Sequence, residues 1–580
     1  MKILLKVKHF TNHITPRICA RFISKGQTFY SPQNFSDYED IRRNYKLHVP
    51  ENFNFASDIL DKWTAAEKDG SKKPSPALWW INGEGKEVKW SFDELGFHSR
   101  KVANVLSDAC DLKPGDRVIV ILPRIPEWWL LNVACIRAGI VIIPGTTQLT
   151  AKDILHRLQK SEAKCIITSQ ELAPAIDSIS NQAPLLKTKM TVTGTREGWL
   201  SFQELYTTAD DNHTCIRTRS TDPMAIYFTS GTTGFPKMVE HSHCSHGLGL
   251  TIPGKYWLDL TPSDMIWNIS DPGWVKSAWS CIFCPWIQGS SVFAHYMPRF
   301  DQTVVLKTLT NYPITVFCSP PTAYRMLVLC DFTSSKFKSL QHCVSSGEPM
   351  NPQVIEQWKE NTGLDIYEGY GQTETDLICG TFKGMTIKPG SMGKASPCYD
   401  VQIVDAEGNV LPPNQEGNIG IRVAPQRPFF LFTQYVGDPE KTASSQRGNF
   451  YLTGDRATRD KDGYFWFIGR SDDVILSSGY RIGPFEIESS LMEHPAVVEC
   501  AVISSPDPIR GEVVKAFVVL SPTYTGHDQE ALTKELQEHV QKVTAPYKYP
   551  RKIEFVEELP KTVSGKIRRN ELRNREWGKA

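Results

Sequence analysis

Between about residues 90 and 375, short apolar runs rich in β-branched residues alternate with longer stretches of helical periodicity. Arg117-Val-Ile-Val-Ile-Leu122 reads as a strand, Glu127 to Arg137 as a helix and Ile140-Val-Ile-Ile143 as the next strand, together a βαβ unit. Lys164-Cys-Ile-Ile-Thr168, Ile226-Tyr-Phe-Thr229 and Ile314-Thr-Val-Phe-Cys318 repeat the strand signal, the last after a helical stretch from Thr303 to Thr310. This alternation predicts an α/β domain with largely parallel sheets covered by helices. From about 395 to 470 the texture changes to strands joined by Gly, Asn and Asp turns (VQIVDAEGNVLPP, GNIGIRV, NFYLTGD, DGYFWFIG), which predicts a mostly antiparallel β-rich subdomain. Beyond Arg470 the pattern becomes α+β. Helices are expected from Phe485 to Glu493 and Gln529 to Val543, and strands from Val497 to Ser504, Val513 to Leu520 and Ile553 to Val556. The expected division is a large N-terminal domain, 37–471, and a small C-terminal domain, 472–580.

Composition narrows the class. A chain of 580 residues is too long for one ordinary core, and 40% hydrophobic with 22% charged residues is the balance of a globular enzyme. A formal net charge of +1 gives no global electrostatic case for nucleic acid. The 14 cysteines are scattered, which suits buried thiols in a reducing compartment better than a disulfide framework. The first 36 residues carry Lys2, Lys6, Lys8, Arg17, Arg21 and Lys25 with no acidic residue before Asp37, the composition of a mitochondrial transit peptide or of a disordered basic tail. They are left out of the expected fold. The most apolar stretch, Val118 to Gly145, is broken by Pro123, Arg124, Glu127, Arg137 and Pro144, so no membrane span is expected.

Candidate chemistry starts where the run Met224-Ala-Ile-Tyr-Phe228 enters YFTSGTTGFPKM, residues 227–238. Gly231 and Gly234 allow backbone conformations in which amide N–H groups converge on an anion. Thr229, Ser230, Thr232 and Thr233 add hydroxyls, and Lys237 adds a compact positive charge after Phe235 and Pro236. The segment is not a Walker A motif, since Pro236 precedes the lysine. It reads either as a phosphate cradle or as a flexible connector. In YEGYGQTE, 367–374, a turn-forming Gly369-Tyr370-Gly371 puts Thr373 and Glu374 in one loop, as a Mg2+-binding carboxylate or as a surface turn. Asp455 in YLTGD suits two ribose hydroxyls or a turn cap. In GRSDDVILSSGYRIGP two arginines, Arg470 and Arg481, flank a carboxylate pair and a Ser-Ser-Gly turn, and in LPKTVSGKIRR Lys566 follows a glycine. HSHCSH, 241–246, has the residue types of a zinc site, but its place predicts the start of a helix. Cys281 and Cys284 form a lone CxxC between Trp279 and Trp286 and read as buried thiols.

In this order the five motifs resemble the adenylate-forming superfamily of acyl-CoA synthetases, luciferases and peptide-synthetase adenylation domains, over the whole chain after the leader. LPRIPEWWLLNVACIRAG, PIRGEVVKAFVV and TAPYKYPRK are similar to the mitochondrial medium-chain acyl-CoA synthetases, and YSPQNFSDYE to their SA-type branch. The resemblance implies fold and reaction. A fatty-acid carboxylate attacks the α-phosphate of ATP to give an acyl-adenylate and pyrophosphate, and the thiol of CoA then displaces AMP. It implies that Thr229 to Lys237 grip the β- and γ-phosphates, and that Glu368, Gly369, Tyr370, Gly371, Gln372 and Thr373 line adenine, α-phosphate and acyl carboxylate. Glu374 would hold Mg2+ (or Mn2+), Asp455 the ribose, and Arg470 a ribose or phosphate oxygen. Lys566 would bridge the attacking carboxylate and α-phosphate. Rotation of the C-terminal domain about Asp472 would bring Ser478, Gly479 and Tyr480 to CoA, with Arg481 on phosphate or CoA and Arg510 and Gln148 as further CoA contacts.

For the acyl pocket the resemblance implies Trp274, Thr373 and Gly371. Acetyl-CoA synthetases carry a tryptophan at the last of these positions, so glycine there predicts room for short- to medium-chain acids rather than acetate. Pro272 and Leu476 depart from the family's usual Thr and Asn. Only small-molecule partners are expected, in the mitochondrial matrix. Two other readings remain open: a ligase for aromatic or other carboxylates on the same fold, and a catalytically weak nucleotide-binding or scaffold protein.

Overall fold

The computed structural model describes residues 33–35, 37–231, 234–333, 335–477, 480–508, 510–544, 546–562 and 565–578. The expected leader therefore lies outside the described residues, apart from its last few positions. There Gln33 and Asn34 donate backbone N–H groups to Asp259, and Phe35 stacks on Phe382 at 5.4 Å. These positions pack on the large domain.

The site-bearing strands are β1 (Pro223–Gly231), β2 (Gly234–Ser242), β3 (His342–Ser346), β4 (Ile366–Gln372), β5 (Asp376–Gly380), β6 (Phe450–Arg459) and β7 (Phe465–Arg470). Among the described residues, the first sheet has eight strands and runs from Gln434–Tyr435 through β2, β1, Val141–Gly145, Arg117–Ile121, Cys165–Thr168 and Thr188–Thr191 to Leu200–Ser201. Its Arg117–Ile121, Pro126–Arg137, Val141–Gly145 unit is the expected parallel βαβ crossover. The helix is buried almost all round and starts at a proline whose missing N–H costs nothing there. Among the described residues, the second sheet has nine strands, with β3, Val316–Ser319, Met265–Asn268, Ser291–His295 and Leu78–Ile81 parallel at its centre.

Both sheets share one device. The parallel strand β1 turns back into antiparallel β2, and the parallel strand β4 turns back into antiparallel β5. Each turn thus stands at the carboxyl end of a parallel strand, where α/β sheets bind ligands.

The region from Val401 to Arg470 forms the expected antiparallel sheet, with β6 paired to β7. The next strand, Ile475–Ser477, belongs to a separate five-stranded sheet with Tyr480–Ile482, Gly511–Leu520, Val497–Asp507 and Lys552–Phe555. One face of that sheet is covered by helix Gln529–Val543, which Asp528 caps and which buries Leu532, Leu536 and Val540 at four-residue spacing. The other face is covered by α1 (Arg569–Glu576), whose Leu572 packs with Phe517 and Ile503. No described helix is long and apolar enough to cross a membrane.

Candidate active site

The Ser/Thr/Gly segment is the tip of a β-hairpin, not an unstructured exit from a strand. Register sets Thr229 opposite Lys237 and Gly231 opposite Gly234, with a bulge between Thr229 and Gly231. Ser230 lies on β1 and Phe235 and Pro236 on β2; Thr232 and Thr233 lie outside the described residues. Lys237 is half-buried with its Nζ 5.6 Å from the ring centre of Tyr435. Burial pulls its ammonium below the usual lysine range and Lys441 adds repulsion, while Glu374 opposes both. Tyr435 in turn donates its hydroxyl to Glu374 Oε1 at 2.8 Å. One aromatic residue therefore spaces Lys237 of the first hairpin from the carboxylate of the second.

The expected Gly369-Tyr370-Gly371 turn is corrected by the structure. These residues lie on β4, with a bulge between Tyr370 and Gly371, and the turn follows at Thr373 to Thr375. The glycines answer to close approach. A Cβ on Gly371 would lie 1.8 Å from the Asp376 carbonyl oxygen, and one on Gly369 2.6 Å from Trp257 and Leu377. Gly371 thus lets two backbones meet, and the space expected there for a longer acyl chain is occupied by β5. Strand geometry sends Tyr370 and Gln372 to the same side, where the Tyr370 hydroxyl (2.5 Å) and Gln372 Nε2 (2.8 Å) both donate to Asp455 Oδ2. Glu368 on the same strand is half-buried, its carboxyl pushed up to about 8 by desolvation although the Met350 N–H donates to it.

Asp455 is a strand residue of β6, not a turn cap. Burial pushes its carboxyl up, against the Arg470 charge, the Tyr370 and Gln372 hydrogen bonds and the Lys566 charge. Arg470 Nε lies 4.0 Å from Asp455 and 3.5 Å from Asp472, so one guanidinium spans the expected ribose ligand and the expected hinge. From the other side Arg573 on α1 donates to the Asp472 carbonyl at 2.6 Å and to Asp473 at 2.9 Å. Lys566 is exposed, and its charge reaches both Asp455 and Lys276 across the gap between domains.

Lys276 escaped the sequence reading. Two residues after Trp274, it donates to the Ser346 carbonyl at 2.7 Å, and burial followed by weaker repulsion from Lys566 pulls it below the usual lysine range. The loop after β3, with Gly347 at φ +105°, was missed as well. Its signal was there to read: a buried parallel strand running into Ser-Ser-Gly at its carboxyl end.

Trp274 is half-buried just before the short helix Val275–Ala278. Gln148 is exposed near Thr146, whose hydroxyl donates to Asp271 beside Pro272. Tyr480 and Arg481 lie on strand Tyr480–Ile482, Arg510 is exposed in the turn between Val497–Asp507 and Gly511–Leu520, and Ser478 and Gly479 lie outside the described residues. Leu476 is 53% exposed and its N–H donates to Glu512. Cys281 and Cys284 are the expected buried thiols, both raised by desolvation, the former to about 12.

Comparison with known proteins agrees with this geometry. The family model described as AMP-binding enzyme matches residues 66–426, and that of the AMP-binding enzyme C-terminal domain matches 486–566. Acyl-coenzyme A synthetase ACSM3, mitochondrial, from Homo sapiens is 65% identical over 96% of this chain and 95% of its own. Acyl-coenzyme A synthetase ACSM4, mitochondrial, from Homo sapiens is 59% identical over 100% of both chains. Among solved structures, the anthranilate CoA ligase AuaEII in complex with anthranoyl-AMP superposes with a TM-score of 0.81 at 30% identity, over 93% of this chain and 99% of that one. Two sheets that each end in a hairpin, followed by a small domain that carries Lys566, match the architecture of an adenylate-forming ligase. This chain belongs to the AMP-binding enzyme family and, within it, to the medium-chain acyl-CoA synthetases.

Proposed function

We infer that the chain activates short- to medium-chain fatty acids in two steps. In the first, a carboxylate oxygen bonds to the α-phosphorus of ATP as the bond to pyrophosphate breaks. In the second, the CoA sulfur bonds to the acyl carbon, AMP leaves and the thiol proton passes to solvent. A carboxylate is a poor electrophile and two anions must meet, so the protein's work is positioning and neutralisation. The hairpin from Thr229 to Lys237 takes the β- and γ-phosphates. Thr373 meets the α-phosphate and acyl carboxylate, Asp455 takes the ribose, and Lys566 sits between the reacting anions. Glu374 offers a hard oxygen ligand next to the phosphate hairpin, held by the Tyr435 hydroxyl. That donor fits Mg2+, which neutralises phosphate charge when bound. Lys276, beside Trp274 and within reach of the Lys566 charge, adds a second ammonium on the acyl side. The basic, acid-free first 36 residues and the mitochondrial names of the relatives support a mitochondrial protein, and we place it in the matrix.

The observation that carries this reading is the buried Asp455 carboxylate, on which the Tyr370 hydroxyl, the Gln372 amide and the Arg470 guanidinium converge beside the domain junction. The test is carboxylate-dependent ATP–pyrophosphate exchange with acids from acetate to dodecanoate and with benzoate. Exchange should peak at short or medium acids and fall by about 100-fold or more in Lys566→Ala, the scale for removing a preorganised transition-state charge. A peak at benzoate, or full exchange in the variant, would overturn the assignment.

A further inference from the structure

Behind the phosphate hairpin lies a polar cluster that the ligase chemistry does not use. His241 on β2, His246 on the helical turn His243–Leu248 and Asp376 at the head of β5 each present one ligand atom within 4.8 Å of the others. All three are buried, at 0%, 0% and 2% exposure. Their surroundings are largely apolar: the Phe283 ring packs 4.9 Å from His246. Neither oxygen of Asp376 has a hydrogen-bond partner, nor does His246 Nδ1, which stands 3.6 Å from Asp376 Oδ1. The indole N–H of Trp279 is near, and it too lacks a well-formed bond. Leaving a buried carboxylate unpaired costs about 1–3 kcal/mol or more, and Asp376 pays a second penalty in its left-handed backbone, φ +54°.

The outer nitrogens of both imidazoles are already committed. His241 donates its Nε2–H to the Thr373 carbonyl at 2.6 Å, which leaves its Nδ1 lone pair on the Ser245 hydroxyl at 3.1 Å, the one contact a cation would have to displace. His246 Nε2 meets the Tyr227 hydroxyl at 3.2 Å, which leaves its Nδ1 toward Asp376. An imidazole whose far nitrogen is fixed by a carbonyl or hydroxyl is the outer-sphere arrangement of metal-ligating histidines. Desolvation keeps both rings neutral, His241 down to about 4 and His246 down to about 3, as metal ligation requires.

We propose that His241, His246 and Asp376 bind one divalent cation of the zinc class, at a site separate from Glu374. Two imidazoles and a carboxylate are a donor set for zinc or cobalt, not magnesium. With bonds of about 2.0–2.1 Å the ligand atoms must close to roughly 3.4 Å, a side-chain adjustment of about 1 Å. Because His241 hangs on the Thr373 carbonyl, the cation would also brace the turn that carries Thr373 and Glu374.

The test uses the full chain, free of ATP and Mg2+, loaded with Zn2+ and desalted. Mass spectrometry of metal content should find about one zinc per chain, and Co2+ loading should give the visible absorption of a tetrahedral site. Asp376→Asn and His246→Leu should retain less than a tenth of that metal, whereas Glu374→Gln and Cys244→Ser should keep it. Zinc should raise the denaturation midpoint of the unmodified chain but not that of Asp376→Asn. An unmodified chain that binds ATP yet holds no zinc or cobalt overturns the proposal. So does metal lost with Glu374→Gln but kept by Asp376→Asn.

Discussion

Asp455 is the residue on which the site turns. Its buried carboxylate gathers the Tyr370 hydroxyl, the Gln372 amide and the Arg470 charge at one point. Asparagine would keep the shape while removing the charge and half the acceptor capacity, leaving two donors from β4 in competition for one oxygen. Hydrogen bonds to charged groups are worth about 1.5–3 kcal/mol, so Asp455→Asn should raise the KM for ATP about 10- to 100-fold. The KM for the fatty acid should change far less. Steady-state kinetics with each substrate varied in turn checks this, and an unchanged KM for ATP would remove Asp455 from the ribose role. Residues of this kind were legible in the sequence because each brings a rare chemistry (a carboxylate after Thr-Gly, a lysine after Ser-Gly) inside a recognisable order. Lys276 was not, because its partners, the Ser346 carbonyl and the Lys566 charge, arrive from distant segments.

At the scale of elements, the β4–β5 hairpin is the instructive case. Periodicity identified the long and amphipathic pieces well: the helix expected from Gln529 to Val543 has those limits in the structure. It misread Gly369-Tyr370-Gly371 because three turn-forming residues in a row outweigh strand signals locally. The tertiary reason for those glycines is β5 pressing on them, which no local pattern contains. The two explanations of Gly371 make opposite predictions. If the glycine opens the acyl pocket, Gly371→Ala should fold normally and shorten the preferred acid. The structure predicts otherwise, since the new Cβ would lie 1.8 Å from the Asp376 carbonyl oxygen. Overpacking of this type costs about 1–3 kcal/mol. Gly371→Ala should therefore lower the urea midpoint of the N-terminal domain and reduce activity on all acids alike. Fluorescence-monitored urea titration, paired with a chain-length series, separates the outcomes.

For the whole molecule, the two lysines proposed to serve the reaction belong to different bodies. Lys237 is on the first sheet of the large domain, and Lys566 comes from the C-terminal sheet's side. The charges at their junction are arranged as a latch. Arg470 reaches Asp455 and Asp472 from the large domain, while Arg573 holds the Asp472 carbonyl and Asp473 from the small one. The Arg470 guanidinium is 44% exposed and its two ion pairs are long, at 4.0 and 3.5 Å, so they add little stability, which suits the expected rotation. In the present arrangement the Lys566 charge acts on Asp455, and strand Tyr480–Ile482, expected to serve CoA, lies in the sheet of the domain expected to rotate. One placement of that sheet would then support only one half-reaction. Phe467 and Phe485 face each other across the hinge, their rings 6.5 Å apart, and offer a place to lock it. A Phe467→Cys/Phe485→Cys chain joined by a short cleavable bis-maleimide should retain ATP–pyrophosphate exchange and lose CoA-dependent product by about 100-fold. Cleaving the linker should restore it. Equal loss of both activities would mean that the linker damages the adenylation site itself. Persistence of both in the fully crosslinked chain would mean that the placement seen here serves the entire reaction, and Asp472 would then be a fixed joint.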